Sequence, residues 1–352
     1  MIRHRSRCVR YLVPLLVGAL ALGACGGGDD DDEAADTDKT TTTREATTTT
    51  TVVPVIAPLT GLVEPTGESL NRGPLWVKID NNQQTKRPPQ AGLDVADVVY
   101  EEPIERVATR FLALFHSTLP ERIGPVRSTR FLDPGIVWHV GGLYVFSGGT
   151  PPKVAAIRES PVQTVDENGL QNSDARQRDS NFSAPHNLFF SPATLLAWDE
   201  IADQTPPEPL FSFLGGGATF AGDAVSVVEI PSYSKARYTW DATAGGWKRE
   251  AQLYTGRGVE AHIAESGAQI TPTNIIIQNI GSIRDNTDDK SLVTGEGDAW
   301  VCSQGKCTNG TWSRSDLDAN TTFTDANGTE IELTPGTTWV HFIESGAPTM
   351  TP

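Results

Sequence analysis

The sequence predicts an α/β N-terminal domain, a mixed sheet with helices packed on it, followed by a β-rich (α+β) C-terminal domain. Three observations carry this. Residues 110–116 hold the run Phe111-Leu112-Ala113-Leu114-Phe115. That is too continuously apolar for a half-exposed face and suits a central strand covered on both sides. Strand-like and helix-like stretches alternate from about 58 to 210, the pattern of a layered α/β domain. From 219 to 345, short strand candidates follow one another with turn signals between them.

The chain opens on a positive leader of Arg3, Arg5, Arg7 and Arg10, then an apolar run at 11–21 broken by Pro14 and Gly18, then Leu22-Gly23-Ala24-Cys25. A charged start, a short apolar stretch and small residues before a cut are the marks of a secretory signal, here 1–24. The run is short of the roughly 20 apolar residues that a spanning helix needs. Leu-Gly-Ala-Cys fits the lipobox, in which the cysteine sulfur takes a diacylglyceryl group and becomes the new N-terminus. Two acyl chains or more hold a protein stably to a bilayer. The expected location is therefore outside the cytoplasm, held to a bacterial membrane by a lipid on Cys25. A plain signal peptide with a chance cysteine, and a residual membrane anchor, are the alternatives. Residues 25–57 continue with Gly26 to Gly28, Asp29 to Asp32, Glu33 and a threonine-rich stretch. They contain little that can be buried and are expected to form a disordered tether. Nothing there fixes the acidic residues in a metal-binding geometry.

In the first domain, 58–210, strands are predicted at 75–79, 96–101, 110–116 and 143–146. Helices are predicted at 130–140, 153–159 and 192–203, the last with Ser191 as N-cap and Pro192 at its start. In the second, 219–345, strands are predicted at 225–230, 236–240, 246–250, 274–278, 299–302, 308–314 and 339–343. Turn signals at 241–245 and 325–328 separate several of them. Trp312 and Trp339 are expected to pack the second domain's core. No repeat array, coiled coil or internal membrane span is visible.

The formal charge is −16, and removing the four leader arginines takes it to −20. That argues against nucleic acid as a partner, which needs a basic face. Beyond Cys8 and Cys25, the cysteines are Cys302 and Cys307. In an oxidising compartment so close a pair reads as a disulfide across a tight turn. A reduced pair is the alternative, and a metal site lacks further ligands in sequence reach. There is no P-loop, zinc-protease helix or dinucleotide fingerprint, so no cofactor or metal is expected. Ser147 is no nucleophile elbow, because residue 145 is Val where that motif needs Gly.

Open α/β sheets bind ligands beyond the carboxyl ends of their strands. Asp80 and Asn81 follow one predicted strand, and Ser147-Gly148-Gly149 another. Arg127 and Arg130 flank Ser128. Arginine forks beside backbone amides freed by Gly148 and Gly149 make a candidate anion cradle, which Arg110, His186 and Asn187 would complete. The competing reading is structural. Paired arginines are often surface ion pairs, Asp80-Asn81-Asn82 can be a simple turn, and His186 a loop hydrogen-bonder. His116, on a buried strand, is expected to be structural.

Several stretches resemble the YerB-type lipoproteins with DUF3048 domains. They include Trp76-Val77-Lys78-Ile79-Asp80-Asn81, Arg87-Pro88-Pro89-Gln90-Ala91-Gly92-Leu93 and, most sharply, Ile123-Gly124-Pro125-Val126-Arg127-Ser128-Thr129-Arg130. Ala184-Pro185-His186-Asn187-Leu188 follows, and Asn274-Ile275-Ile276-Ile277-Gln278, Gly310-Thr311-Trp312-Ser313-Arg314 and Leu333-Thr334-Pro335-Gly336-Thr337-Thr338-Trp339 lie in the second half. The resemblance spans nearly all of the folded region and implies a two-domain exported lipoprotein. It implies no reaction. The cysteine pair is not part of that pattern. Three functional readings follow. The first is a non-enzymatic envelope protein that binds an anionic envelope ligand or a partner protein through the Arg127/Arg130 crevice. The second is an envelope enzyme acting on phosphate-linked glycan or polyprenyl-phosphate substrates. For it, Asp80, Arg110, Arg127 and Arg130 loosely resemble the LytR-CpsA-Psr arrangement, by analogy only. The third is a structural scaffold.

Overall fold

The apolar run near residue 112 lies at the middle of the structure. The computed structural model describes residues 54–84, 86–105, 107–201, 205–282 and 289–352, without the side chains of 289 and 290. The leader, Cys25 and the tether up to residue 53 lie outside the described residues; 54–57, expected in the disordered tether, instead join the fold, with Ile56 bridged to Val63 and Ala57 buried and donating to Leu62 O at 2.8 Å. The first half supplies strands β1 (Leu75–Asp80), β2 (Val98–Ile104), β3 (Ala108–Phe115), β4 (Leu143–Val145), β5 (Gln163–Val165), β6 (Arg176–Arg178) and β7 (Leu188–Phe190). Its helices are α1 (Asp133–Val137), α2 (Pro151–Arg158), α3 (Glu167–Leu170) and α4 (Pro192–Leu196). The second half supplies β8 (Asp223–Ala224), β9 (Val227–Glu229), β10 (Arg237–Asp241), β11 (Gly246–Ala251), β12 (Glu260–Ala261) and β13 (Asn274–Asn279). It continues with β14 (Gly295–Ser303), β15 (Lys306–Arg314), β16 (Thr322–Asp325), β17 (Thr338–Ile343) and β18 (Thr349–Thr351).

The molecule is mostly sheet with few helices, mixed in the first half and β-rich in the second. Residues 58–210 and 219–345 do not each close a sheet of their own. One 11-stranded sheet runs β16-β15-β14-β13-β17-β2-β3-β1-β4-β5, with β8 beside β15. Its seam is the parallel pairing of β17 with β2, which sets Val340 beside Tyr100 and His341 beside Glu101. A five-stranded sheet, β12-β11-β10-β9-β18, covers one face. There Phe111, Val77 and Ile277 share a core with Val228, Tyr238 and Trp247. Trp339 packs edge-on to Phe111 at 5.2 Å, so it serves a core common to both halves. On the other face Trp76, Leu112, Leu114 and Ile276 share a core with Leu132, Ile136 and Val137 around α1 and Ile157 of α2.

The principal strands stand within a few residues of their expected places. Helix α4 begins as expected, with Ser191 Oγ accepting from Thr194 N at 3.4 Å. It stops at Leu196, well short of the expected end. Helix α1 starts late because Asp133 accepts the Arg130 N–H at 2.6 Å and caps the turn before it. Strands β5, β6 and β7 have only three residues each, too short to show a period; pairing with neighbours makes them strands.

Cys302 and Cys307 form a disulfide between directly opposed positions of the β14–β15 hairpin. The two-residue turn has Gln304 at φ 50° and Gly305 at φ 69°. Positive φ at both positions is the hairpin turn whose twist matches its strands. Among the described residues no helix is long and apolar enough to cross a membrane.

Between the two sheets lies a buried polar network. Glu101 Oε2 accepts from Arg249 Nη2 at 2.8 Å, and both side chains are essentially inaccessible. Glu101 Oε1 accepts from Thr109 Oγ1 at 2.7 Å. Arg249 also meets His262 Nδ1 at 2.6 Å, and Tyr238 Oη meets His341 Nε2 at 2.8 Å. Burial raises the Glu101 carboxyl, but Arg249 and His341 outweigh it and hold it below its ordinary range. Burial pushes His341 down to about 4, and burial beside Arg249 pushes His262 well down.

Removing one partner of a buried pair strands the other charge. Glu101→Gln should cost roughly 3–5 kcal/mol in urea unfolding, more than the paired change Glu101→Leu with Arg249→Met. The two buried histidines stay neutral in the fold but take up protons when unfolded, from their ordinary value of 6.5 downwards. Stability should therefore fall as pH drops below about 6.5, by up to roughly 1.4 kcal/mol per pH unit per histidine. The His341 contribution levels off near pH 4, and Glu101 adds its own loss only below its ordinary value of 4.5. Urea midpoints from pH 7.5 to 4.5, with His341→Gln giving a shallower slope, check this.

Candidate functional site

Strands β1, β2, β4, β5, β13 and β17 all run in one direction, so their carboxyl ends share one edge of the large sheet. The segment 123–130, Ile-Gly-Pro-Val-Arg-Ser-Thr-Arg, is stitched into that edge by its backbone. Asp80 N donates to Pro125 O at 2.9 Å and Arg127 N to Lys78 O at 2.8 Å. On its other side Val126 N donates to Leu188 O at 2.6 Å, and Thr129 N reaches Gly148 O at 2.9 Å. The close approach requires glycine at 124: φ is 154°, and a Cβ there would stand 2.7 Å from Leu188 O.

This stitching gathers charge around Asp80. Arg110 lies opposite Asp80 in the β1–β3 register. Its Nη1 donates to Ser128 O at 2.9 Å, and Arg130 Nη1 donates to the same oxygen at 3.3 Å and to Thr129 O at 2.9 Å. Arg127 Nε stands 3.7 Å from Asp80 Oδ1. His186 Nδ1 lies 2.5 Å from Asp80 Oδ2 and 2.8 Å from Gln84 Nε2. An ionised carboxylate only accepts, so Nδ1 of His186 carries the proton that faces Asp80. At the rim, Glu105 reaches Arg130 at 3.2 Å and Lys153 at 3.8 Å. Beneath, Asp133 accepts from Tyr144 Oη at 2.6 Å and Thr129 Oγ1 at 2.8 Å, which fixes the turn that carries Arg130. Lys78 pairs with Asp133 at 2.7 Å and with Glu102.

Arg110 is 3% exposed. Burial, then the charges of Arg130 and Arg127, push it down to about 9, against the pull of Asp80 and Glu105. It is still a cation at neutral pH. Burial raises the Asp80 carboxyl, but the His186 hydrogen bond and the charges of Arg127 and Arg110 outweigh it and hold it low. The Nε atoms of Arg110, Arg127 and Arg130 are buried and make no hydrogen bond. The cluster is thus rich in buried cationic donors and short of acceptors, which is the condition for taking up an anion.

Of the residues singled out in the sequence, Asp80, Arg110, Arg127, Ser128, Arg130 and His186 meet here, Ser128 through its carbonyl. Gly148 borders the cluster with φ 138° and open space where a Cβ would be, while Gly149 packs on Thr129. Asn81 does not join them. Its side chain turns to the opposite face, where Nδ2 donates to Thr109 Oγ1 at 2.7 Å and Glu101 Oε1 at 3.2 Å. Asn187 is also engaged elsewhere. It donates to Asp179 O and Phe182 O and accepts from Arg178, closing the turn before β7. His116 lies outside the cluster, with Nε2 3.2 Å from Arg72 O and its backbone N–H donating to Asp97. Sequence reasoning missed Gln84, Glu105, Lys153 and Asp133. Lys78 inside an apolar strand was a usable sign of a buried acidic partner; nothing marked Gln84.

Residues 59–205 match the family described as the DUF3048 N-terminal domain, a protein of unknown function, and residues 227–340 match its C-terminal domain. The chain belongs to the DUF3048 family. The N-terminal DUF3048 region holds the whole arginine cluster; the C-terminal one supplies Arg249, His262 and Trp339. A curated relative, the "Putative lipoprotein YerB" of Bacillus subtilis (strain 168), is 34% identical over 136 residues. That stretch covers 38% of this chain and 40% of that protein's length. The crystal structure of YerB protein from Bacillus subtilis superposes with a TM-score of 0.71 at 22% identity. It covers 85% of this chain and 100% of that chain, so the DUF3048 fold is shared.

Gly124→Ala should cost about 1–3 kcal/mol or more, because the added methyl meets a backbone carbonyl. Gly215→Ala, with nothing near its Cβ, is the neutral control. Urea unfolding of both variants measures the difference.

Proposed function

We propose that this DUF3048 protein is an exported, lipid-anchored envelope protein that binds an anionic ligand, or an anionic group on a partner, at the Arg110–Arg127–Arg130 cluster. The observation that carries this is the meeting of three largely buried guanidinium groups with Asp80 as their one buried carboxylate contact among the described residues. The leader and lipobox at 1–25 support the anchoring, and so does the name of the Bacillus subtilis relative, a putative lipoprotein. A second reading is an envelope enzyme acting on phosphate-linked substrates. The Asp80–His186 pair favours it, since an imidazole oriented through Nδ1 by a carboxylate is the arrangement of an acid–base pair. Turnover of a phosphate ester that is lost in His186→Asn would move the assignment to that reading.

The Arg127→Ala, Arg130→Ala double variant should lose binding to isolated envelope fractions in a sedimentation assay. Retention at the wild-type level overturns the binding role. Cys25→Ser should leave the chain folded but move it from the membrane to the soluble fraction. A processed variant that stays with membranes overturns the lipid anchor.

A further inference from the structure

Glu105 is at the tip of the β2–β3 hairpin, in the left-handed region at φ 49°. A residue other than glycine is uncommon there, and holding one costs on the order of 1 kcal/mol or more. Its side chain is 56% exposed, yet it folds back over the cluster to Arg130 and Lys153 instead of extending into solvent. It is a carboxylate placed where an anionic ligand would contact the arginines. The other charges nearby set what that ligand should be. Arg110 and Arg127 lie beside Asp80, Arg130 and Lys153 lie beside Glu105, and below them Lys78, when protonated, leaves Glu102 and Asp133 with one net negative charge. With Glu105 in place the group is left with a single positive charge. With Glu105 swung away it has two.

We propose that the ligand is a phosphate monoester group in its dianionic form, and that Glu105 is a built-in competitor which that phosphate displaces. This rests on the anion-binding reading above. A monoester phosphate has two charges to match the two positive charges present once Glu105 has swung away. It also has three terminal oxygens for the forks of Arg110 and Arg127, which a carboxylate cannot fill. Gly148, with open space beside its Cα at the edge of the cluster, leaves room for the esterified remainder. A diester carries one charge and a carboxylate one, so neither gains as much from displacing Glu105.

Calorimetry on the full chain in detergent tests this, with inorganic phosphate, phenyl phosphate, dimethyl phosphate and acetate as probes. Phosphate and phenyl phosphate should bind, and the two monoanions at least about tenfold more weakly. Glu105→Gln should tighten phosphate by about two- to fivefold, the range of an exposed ion pair. Arg127→Gln should weaken it by more than about tenfold. A thermal melt of each variant confirms that it is folded. If phosphate binds, Arg127→Gln weakens it and Glu105→Gln leaves it unchanged, the competitor role is overturned and the anion site stands. If acetate or dimethyl phosphate binds as tightly as phosphate, the ligand class is overturned and the anion site again stands. If no probe binds to wild type or Glu105→Gln, the anion site falls and this proposal with it.

Discussion

Glu101 lies on β2, at the seam where the second half of the chain joins the first, and its carboxylate is held by Arg249 from the covering sheet. A charge placed there has no access to water. It is tolerable only if the five-stranded sheet docks with Arg249 in one position, and Arg249 in turn is tolerable only over Glu101. The guanidinium also lies over the rings of Phe111 and Trp339, at 5.4 and 5.1 Å. Apolar burial on this face provides the driving force, and it would accept several registers of one sheet on the other. The ion pair with its satellites, His262, His341 and Tyr238, accepts one. Buried polar groups often cost stability in return for such uniqueness, and here the uniqueness is of the two halves relative to each other.

That register matters for the candidate site because Asp80 and Asn81 are adjacent and face opposite ways. Asn81 is tied into the Glu101 network, while Asp80 organises the arginines on the far face. The end of β1 is thereby anchored on one face and functional on the other. Gln90, which donates to the Asp80 carbonyl and meets His262, extends the anchoring to the residue itself. The arginine cluster belongs to the first half, but the rigidity of its central carboxylate depends on groups from the second.

Much of this was legible in the sequence, and the reasons differ by element. The run at 111–115 announced a central strand because burial on both faces leaves no polar positions. The arginines of 127–130 were legible because several arginines close to glycine and proline in a predicted loop are hard to explain by core packing. The common sheet was not legible. Nothing local in 338–343 or 98–104 says that the two strands pair across more than two hundred residues. Periodicity reports which face is buried and is silent about which strand lies alongside. Asn81 was misplaced for the same kind of reason, since the last residue of a strand and the first of a loop can point either way. Glu105 and Gln84 are single polar residues in polar surroundings, and only the fold gives them partners.

The charge of the whole chain sharpens the meaning of the cluster. At −16, or −20 without the leader arginines, the molecule repels anions at long range. Screening by salt near physiological strength limits that repulsion to about 8 Å. An anion therefore gains nothing from steering and must be held by contacts made after arrival, in a site where partial burial weakens the screening. Such a site selects by the number and geometry of its donors, not by general attraction. Three arginines fixed by backbone carbonyls, one buried carboxylate to orient them and a rim carboxylate to neutralise part of the surplus form an arrangement of that kind.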